Sequence, residues 1–284
     1  MFIDTHFHTN VYERYENALD QALQLMAENK ILVVSNSCDL EEYEATLKIA
    51  KRSKFVLPCF GIHPQRAPDY VDKLDLLSDY LDQALMFGEI GLDHIHVKDQ
   101  SQYPIQEGIL ERFFQAGEHQ SKIVILHLDG AEYRGLEIIQ TFSLNKVIVH
   151  GYWGSLETLR KMLDLGFYFS VGGNAIMDRF KPVIPLDDWN RVQQIVKQVS
   201  DDFLLVETDG PCRIAPDVSP DAPRSMPTYI KDTVAKVANI RETSVDELIH
   251  QVTDNFMKLI RDDKRLEAYA SLIQTHTGLF KGKT

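Results

Sequence analysis

Short apolar runs bounded by turn-forming residues alternate along the chain with longer stretches in which apolar side chains recur at helical spacing. The runs fall at residues 2–5, 31–35, 55–60, 84–89, 122–126, 146–149, 166–170 and 203–207, which predicts eight strands. Between the first two, Ala18, Leu19, Ala22, Leu23 and Met26 form an i, i+1, i+4, i+5, i+8 stripe that suits a helix packed on a sheet, and similar stripes fill most other gaps. Asp39 with Glu42, just before Leu47, and Ser244 with Glu247, just before Leu248, predict helix starts. Each pairs an N-cap oxygen with a carboxylate three residues on.

Eight strands alternating with helices in 284 residues favour one α/β domain over residues 1–284, a (β/α)8 TIM-like barrel rather than a doubly wound sheet. No linker divides the chain, and residues 275–284 read as a short, polar, frayed tail. Active sites of such barrels lie at the C-terminal ends of the strands. His6 and His8 end the first predicted strand, His63 follows the third, and Glu89, His127 and His150 end the fourth, fifth and sixth. Asp209 stands at the end of the eighth. Alternation along a strand puts His6 and His8 on one face, about 6 to 7 Å apart, with Phe7 turned into the barrel wall. Two imidazoles aimed at one point can hold a metal. Taken singly, each of these groups also fits a duller role, a helix cap for an aspartate or a hydrogen-bonded histidine at a strand end.

Composition narrows the function classes. With 44% apolar and 25% charged residues the chain reads as an ordinary soluble globular protein. Its first residues carry no basic n-region and no apolar h-region, and runs such as Ile31-Leu32-Val33-Val34 are too short to span a bilayer, so the expected location is the cytoplasm. Cys38, Cys59 and Cys212 are far apart and odd in number, which leaves no disulfide framework or Cys-x-x-Cys zinc site and makes them small buried hydrophobes. The net charge of -12 opposes a broad basic surface for duplex nucleic acid. It leaves a nuclease open, because metal ions in a pocket reverse the local sign.

Taken together, Asp4-Thr5-His6-Phe7-His8, Gly61-Ile62-His63-Pro64, Gly88-Glu89-Ile90-Gly91-Leu92-Asp93, Val124-Ile125-Leu126-His127, Val149-His150-Gly151, Glu207-Thr208-Asp209-Gly210-Pro211 and Asp254-Asn255-Phe256 span nearly the whole chain. In this order and spacing the sequence resembles the TatD family of metal-dependent hydrolases, within the amidohydrolase superfamily. The resemblance implies a TIM-like barrel, a one- or two-metal centre and a hydrolase activity often described as deoxyribonuclease activity. It implies that His6, His8 and Asp209 hold one divalent ion and His127 and His150 a second, with Glu89 bridging both. Imidazole and carboxylate suit Zn, Mn, Fe, Co or Ni, and carboxylates also accept Mg, so the ligands do not name the ion. A metal-activated water would attack phosphorus while Asp209 accepts its proton, or Asp209 serves as a ligand only. His63 is assigned to substrate phosphate or to support of the ligands, against a structural turn role before Pro64.

The chain departs from the family pattern at several points. Asp93 is followed by His94-Ile95-His96, where relatives often carry an aromatic. These two histidines could bind phosphate, shuttle a proton, take a stray ion or be solvated. Two residues after His127 stands Asp129, where many relatives have arginine, which weakens the case for a polynucleotide. Trp153 stacks on a base or fills a loop core. Residues 210–227, with five prolines, read as a loop over the barrel mouth whose Arg213 and Arg224 are candidates to contact an anionic substrate. The expected partner is a phosphate ester, either DNA ends or single strands or a smaller ester, with no membrane and an open oligomeric state. Two other readings stand beside it. The same metals could act on the carbonyl of an amide, ester or lactone, or the barrel could be a non-catalytic metal-binding scaffold. The scaffold predicts damaged ligands, and none of the six is damaged.

Overall fold

The eight apolar runs are strands, and each lies beside the one that follows it in the chain. This computed structural model describes residues 1–173, 176–178, 181–182, 184–211, 223 and 225–278. In it β1 (Phe2–Phe7), β2 (Ile31–Ser35) and β3 (Val56–Pro58) form one parallel sheet. A second contains β4 (Phe87–Asp93), β5 (Val124–Asp129), β6 (Val147–His150), β7 (Tyr168–Gly172) and β8 (Leu204–Glu207), also parallel and in order. The sheets meet at two parallel bridges, Phe60 beside Phe87 and Phe7 beside Gly210. At one seam the Gly88 amide donates to the Phe60 carbonyl at 2.8 Å, and at the other the His8 amide donates to the Gly210 carbonyl at 2.8 Å. The strands therefore follow one another around a TIM-like barrel in chain order.

Helices cover the outside because each carries one apolar face. They are α1 (Ala18–Asn29), α2 (Leu40–Ala50), α3 (Ser78–Gln83), α4 (Tyr103–Gln120), α5 (Glu132–Ile139), α6 (Leu156–Asp164), α7 (Leu186–Gln198), α8 (Ile230–Arg241), α9 (Val245–Ile260) and α10 (Glu267–Thr277). The predicted stripe of α1 is buried at Ala18, Leu19, Ala22 and Met26, each large member contributing roughly 1.5–3 kcal/mol by leaving water. Asp39 caps α2 by accepting from the Glu42 amide at 2.9 Å, while the Glu42 carboxylate reaches past it to the Cys38 amide at 3.0 Å. Ser244 and Glu247 form a full capping box on α9. Among the described residues no helix is long and apolar enough to cross a membrane.

Several boundaries differ from expectation, among them the first strand, which runs to Phe7, the fifth, Val124–Asp129, and the seventh, Tyr168–Gly172. The fourth strand starts at Phe87 and runs past Glu89 to Asp93. Gly88 and Gly91 disguise its second half, since glycine reads as a strand breaker. Gly91 is needed there: its φ is 154°, and a Cβ would overlap the carbonyl oxygen of His127 on the neighbouring strand. Residues 275–277, expected to fray, are the last turn of α10, and residues 279–284 lie outside the described residues. The third strand shrinks to Val56–Pro58.

The eighth strand is fixed from outside by Asn255 of α9. This fully buried amide donates to the carbonyls of Asp201 at 2.6 Å and Leu204 at 2.9 Å. Asn255→Ala leaves both acceptors without that donor and is expected to lower stability by about 1–3 kcal/mol, read as a lower denaturant midpoint at constant slope.

Candidate metal centre

Glu89 sits where the ladder between β4 and β5 is interrupted, between Phe87 and Ile90, and its side chain enters the mouth of the barrel at 4% exposure. Its two oxygens face opposite groups of donors. Oε2 lies 3.4 Å from His6 Nε2 and 3.6 Å from His8 Nε2, and these nitrogens are 3.2 Å apart. Asp209 Oδ1 closes the group at 3.8 Å from His6 Nε2 and 3.4 Å from His8 Nε2. Ligands about 2.0–2.1 Å from a shared ion stand about 3.3–3.4 Å apart in a tetrahedron. His6, His8 and Asp209 therefore offer donors close enough together to share one divalent ion, with Glu89 Oε2 facing the same two imidazoles.

Oε1 faces the second group. It lies 2.8 Å from His127 Nδ1, 2.8 Å from His150 Nε2 and 3.6 Å from His63 Nε2, with the first two nitrogens 3.1 Å apart. These spacings match the edges of about 2.9–3.0 Å expected of octahedral ligation, and equally those of charge-assisted hydrogen bonds. His63 also accepts from the Gln65 amide at 3.2 Å, so it shapes the turn before Pro64 and faces the cluster at once. Phe7, between His6 and His8, points away and is buried against Tyr12.

Burial alone would neutralise Glu89, but the surrounding imidazoles, His150 foremost, hold its carboxyl well below the usual range. The histidines divide by environment. Burial and the stacked His150 ring, 3.7 Å away, lower His6. Burial also takes His63 down to about 3. For His127 burial is outweighed by Asp93 and Glu89, which bring it up to about 9, and for His150 it is outweighed by Glu89 and Glu207, which raise it well above its ordinary value. His8 is raised by Asp209 and Glu89 against its burial.

Several supporting groups have no role in the sequence-based reading. Glu207 Oε1 lies 3.5 Å from His150 Nδ1, and both side chains are buried. Asp4 accepts from the Thr208 amide at 3.0 Å and the Thr208 hydroxyl at 2.6 Å, tying β1 to the turn that carries Asp209, and burial pushes its carboxyl up to about 8. The signal for both was a carboxylate inside an otherwise apolar strand. Asp209 itself has φ 52°, in the left-handed region that aspartate tolerates better than most residues.

The cluster opens into a cavity of 360 Å³ whose rim includes Gln65, Arg66, Cys38, Glu42 and His96. Cys38 is thus not a buried hydrophobe; its sulfur and donor atoms of His8 and Glu42 all lie within 4.8 Å of one another. Cys59 is buried as expected, and Cys212 lies outside the described residues. His96 is exposed, with Nδ1 3.1 Å from Asp93 Oδ2. His94 lines neither this cavity nor its neighbour, and its ring stacks on Tyr103 at 3.6 Å. Trp153 lines the neighbouring cavity of 530 Å³. Arg213 and Arg224, with most of the predicted mouth loop, lie outside the described residues.

A family model described as TatD related DNase matches residues 3–261. The chain is 25% identical to the uncharacterized metal-dependent hydrolase YabD of Bacillus subtilis over 271 residues, covering 92% of this chain and 99% of that protein. It is 26% identical to the human deoxyribonuclease TATDN3 over 272 residues, covering 90% and 93%. Its fold superposes on the crystal structure of YJJV, a TatD homologue from Escherichia coli, with a TM-score of 0.77 at 22% identity, covering 92% of this chain and 98% of that one. The chain belongs to the TatD-related DNase family, a family of metal-dependent hydrolases.

Proposed function

We propose that the protein is a metal-dependent phosphodiesterase of the deoxyribonuclease kind, acting on DNA ends, single strands or smaller phosphate esters. The observation that carries this reading is Glu89, one carboxylate whose two oxygens each face a separate set of imidazole and carboxylate donors. His6, His8 and Asp209 would hold one divalent ion and His127, His150 and Glu89 would offer donors for a second; Zn, Mn, Mg, Fe, Co and Ni all suit these donors. Bound ions supply Lewis acidity and bring the pKa of a coordinated water from 15.7 down to about 7.

The remaining steps belong to the protein. Asp209, whose side chain is 13% exposed and so reaches the open side of the cluster, accepts the proton of the attacking water. His63, neutral at physiological pH, and Arg66 at the rim bind the phosphate oxygens. The net charge of -12 keeps long duplex away and favours ends and small esters.

The test is hydrolysis by stripped protein and by protein reloaded separately with Mg, Mn or Zn, given single-stranded DNA, an aryl phosphodiester and an aryl ester or lactone. Phosphodiester cleavage is expected only with metal, and ester turnover with no phosphodiester cleavage would overturn the assignment. Asp209→Ala is expected to lower kcat by about 10²–10⁴-fold on the phosphodiester. Glu89→Gln is expected to lower metal stoichiometry as well as rate, read by elemental analysis after dialysis.

Metal uptake should also release protons. Imidazole ligates only when neutral, whereas without metal His127 keeps its proton up to about pH 9 and His8 and His150 are raised too. Binding at pH 7 therefore displaces protons, and apparent affinity rises between pH 6 and 8. Calorimetry in buffers of different ionisation enthalpy reads this as a non-zero slope.

A further inference from the structure

We propose that the cavity of 530 Å³ beside the metal cluster is a specificity pocket for a positively charged organic group esterified to the phosphate, recognised by Asp129 and Trp153. The inference rests on the phosphodiesterase reading and names its substrate class. The two cavities adjoin: His96 lines both. Asp129 stands on their boundary, with Oδ2 3.7 Å from His127 Nε2 and 3.9 Å from His96 Nδ1. A group attached to a phosphate over the cluster would thus have this pocket within reach.

The charge inside is one-sided. Among the described residues the lining includes Asp129, Glu132 and Asp188, one guanidinium, Arg191, and the imidazole of His96. That guanidinium is already engaged, donating to Asp188 at 2.6 Å and to the Trp153 carbonyl at 2.9 Å. Asp188 and Arg191 therefore neutralise each other. Burial raises the Glu132 carboxyl, and its oxygen accepts from the Gly130 amide at 3.4 Å. Asp129 is the lining carboxylate that reaches towards the cluster, through its contact with His127. A second phosphate entering here would meet like charge, which selects against a polynucleotide. An alkylammonium group would meet the Asp129 carboxylate and the aromatic wall of Trp153, the combination that holds organic cations. The volume suits such a group, since small-molecule sites run about 300–1,000 Å³.

The test compares three p-nitrophenyl phosphodiesters that differ in the second alcohol: a cationic choline ester, a neutral methyl ester and a thymidine ester carrying an extra 3′-phosphate. In each, water adds to phosphorus, the aryl P–O bond breaks, and p-nitrophenolate and a proton leave. Metal-loaded protein is expected to favour the choline ester over the methyl ester by about 5- to 30-fold in kcat/KM, with the bisphosphate poorest. Asp129→Asn should collapse the cation preference and improve the bisphosphate relative to the methyl ester. Asp129→Glu should retain the preference, and Trp153→Leu should weaken it.

Ratios measured on one preparation cancel metal content. If Asp129 only orients His127, all three rates fall together at an unchanged ratio, and the proposal is wrong. Equal turnover of choline and methyl esters, or preference for the bisphosphate, also overturns the pocket assignment while leaving the phosphodiesterase reading intact. If no diester is cleaved by metal-loaded protein, both readings fail together.

Discussion

A carboxylate buried at the mouth of a barrel must be matched by positive charge, and that requirement at Glu89 organises the structure around it. An isolated buried carboxylate costs several kcal/mol or simply takes up a proton. Glu89 stays ionised because imidazoles approach both of its oxygens, and those imidazoles come from β1, β5 and β6 and from the segment after β3. No two neighbouring strands could supply them. The barrel-like order of the two parallel sheets, bridged at Phe60–Phe87 and Phe7–Gly210, brings the ends of the first, fifth and sixth strands close to a group on the fourth.

The same requirement explains why the fourth strand is irregular. Gly91 lets β4 press against the His127 carbonyl, closer than any side-chain-bearing residue allows. The interruption between Phe87 and Ile90 lets Glu89 leave the ladder and face the axis. Around the ring, a second tier of carboxylates completes the charge balance: Glu207 behind His150, and Asp93 and Asp129 behind His127. Such groups fix ring orientation and raise ligand basicity. They also favour the protonated imidazoles, bringing His127 up to about 9 and His150 above its ordinary value.

Much of this was legible in the sequence, and the limits have physical causes. Eight strands were found because buried parallel strands leave compact apolar runs, and His6 and His8 because alternation on a strand is regular enough to fix a shared face. The far end of β4 was not, because the glycines that permit its packing are the residues that normally end strands. Cys38 looked like core because an apolar environment and a cavity rim are equally compatible with an isolated cysteine. Arg66 was not singled out, since a short turn after His63 gives no sign in the sequence that it faces the cavity. His94 and His96 are adjacent but for Ile95, yet one stacks on Tyr103 and the other reaches the rim, a division set by tertiary contacts alone.

What distinguishes this barrel lies just outside the cluster. The donors around Glu89 are chemically general: an activated water can attack phosphorus or carbon, and a constellation of imidazoles and carboxylates does not choose between substrates. Choice must come from what surrounds the reacting group. Here the surroundings are asymmetric. Arg66 and His63 line the cavity over the cluster, whereas the neighbouring cavity presents Asp129, 3.7 Å from His127 Nε2. With Arg191 already paired to Asp188, the groups facing Asp129 among the described residues are the imidazoles of His127 and His96. A long polyanion would have to pass Asp129, while a phosphate bearing one cationic or neutral substituent would not. On the proposed reading, it is the electrostatics of the rim, and not the cluster, that would distinguish a small ester from an extended nucleic acid.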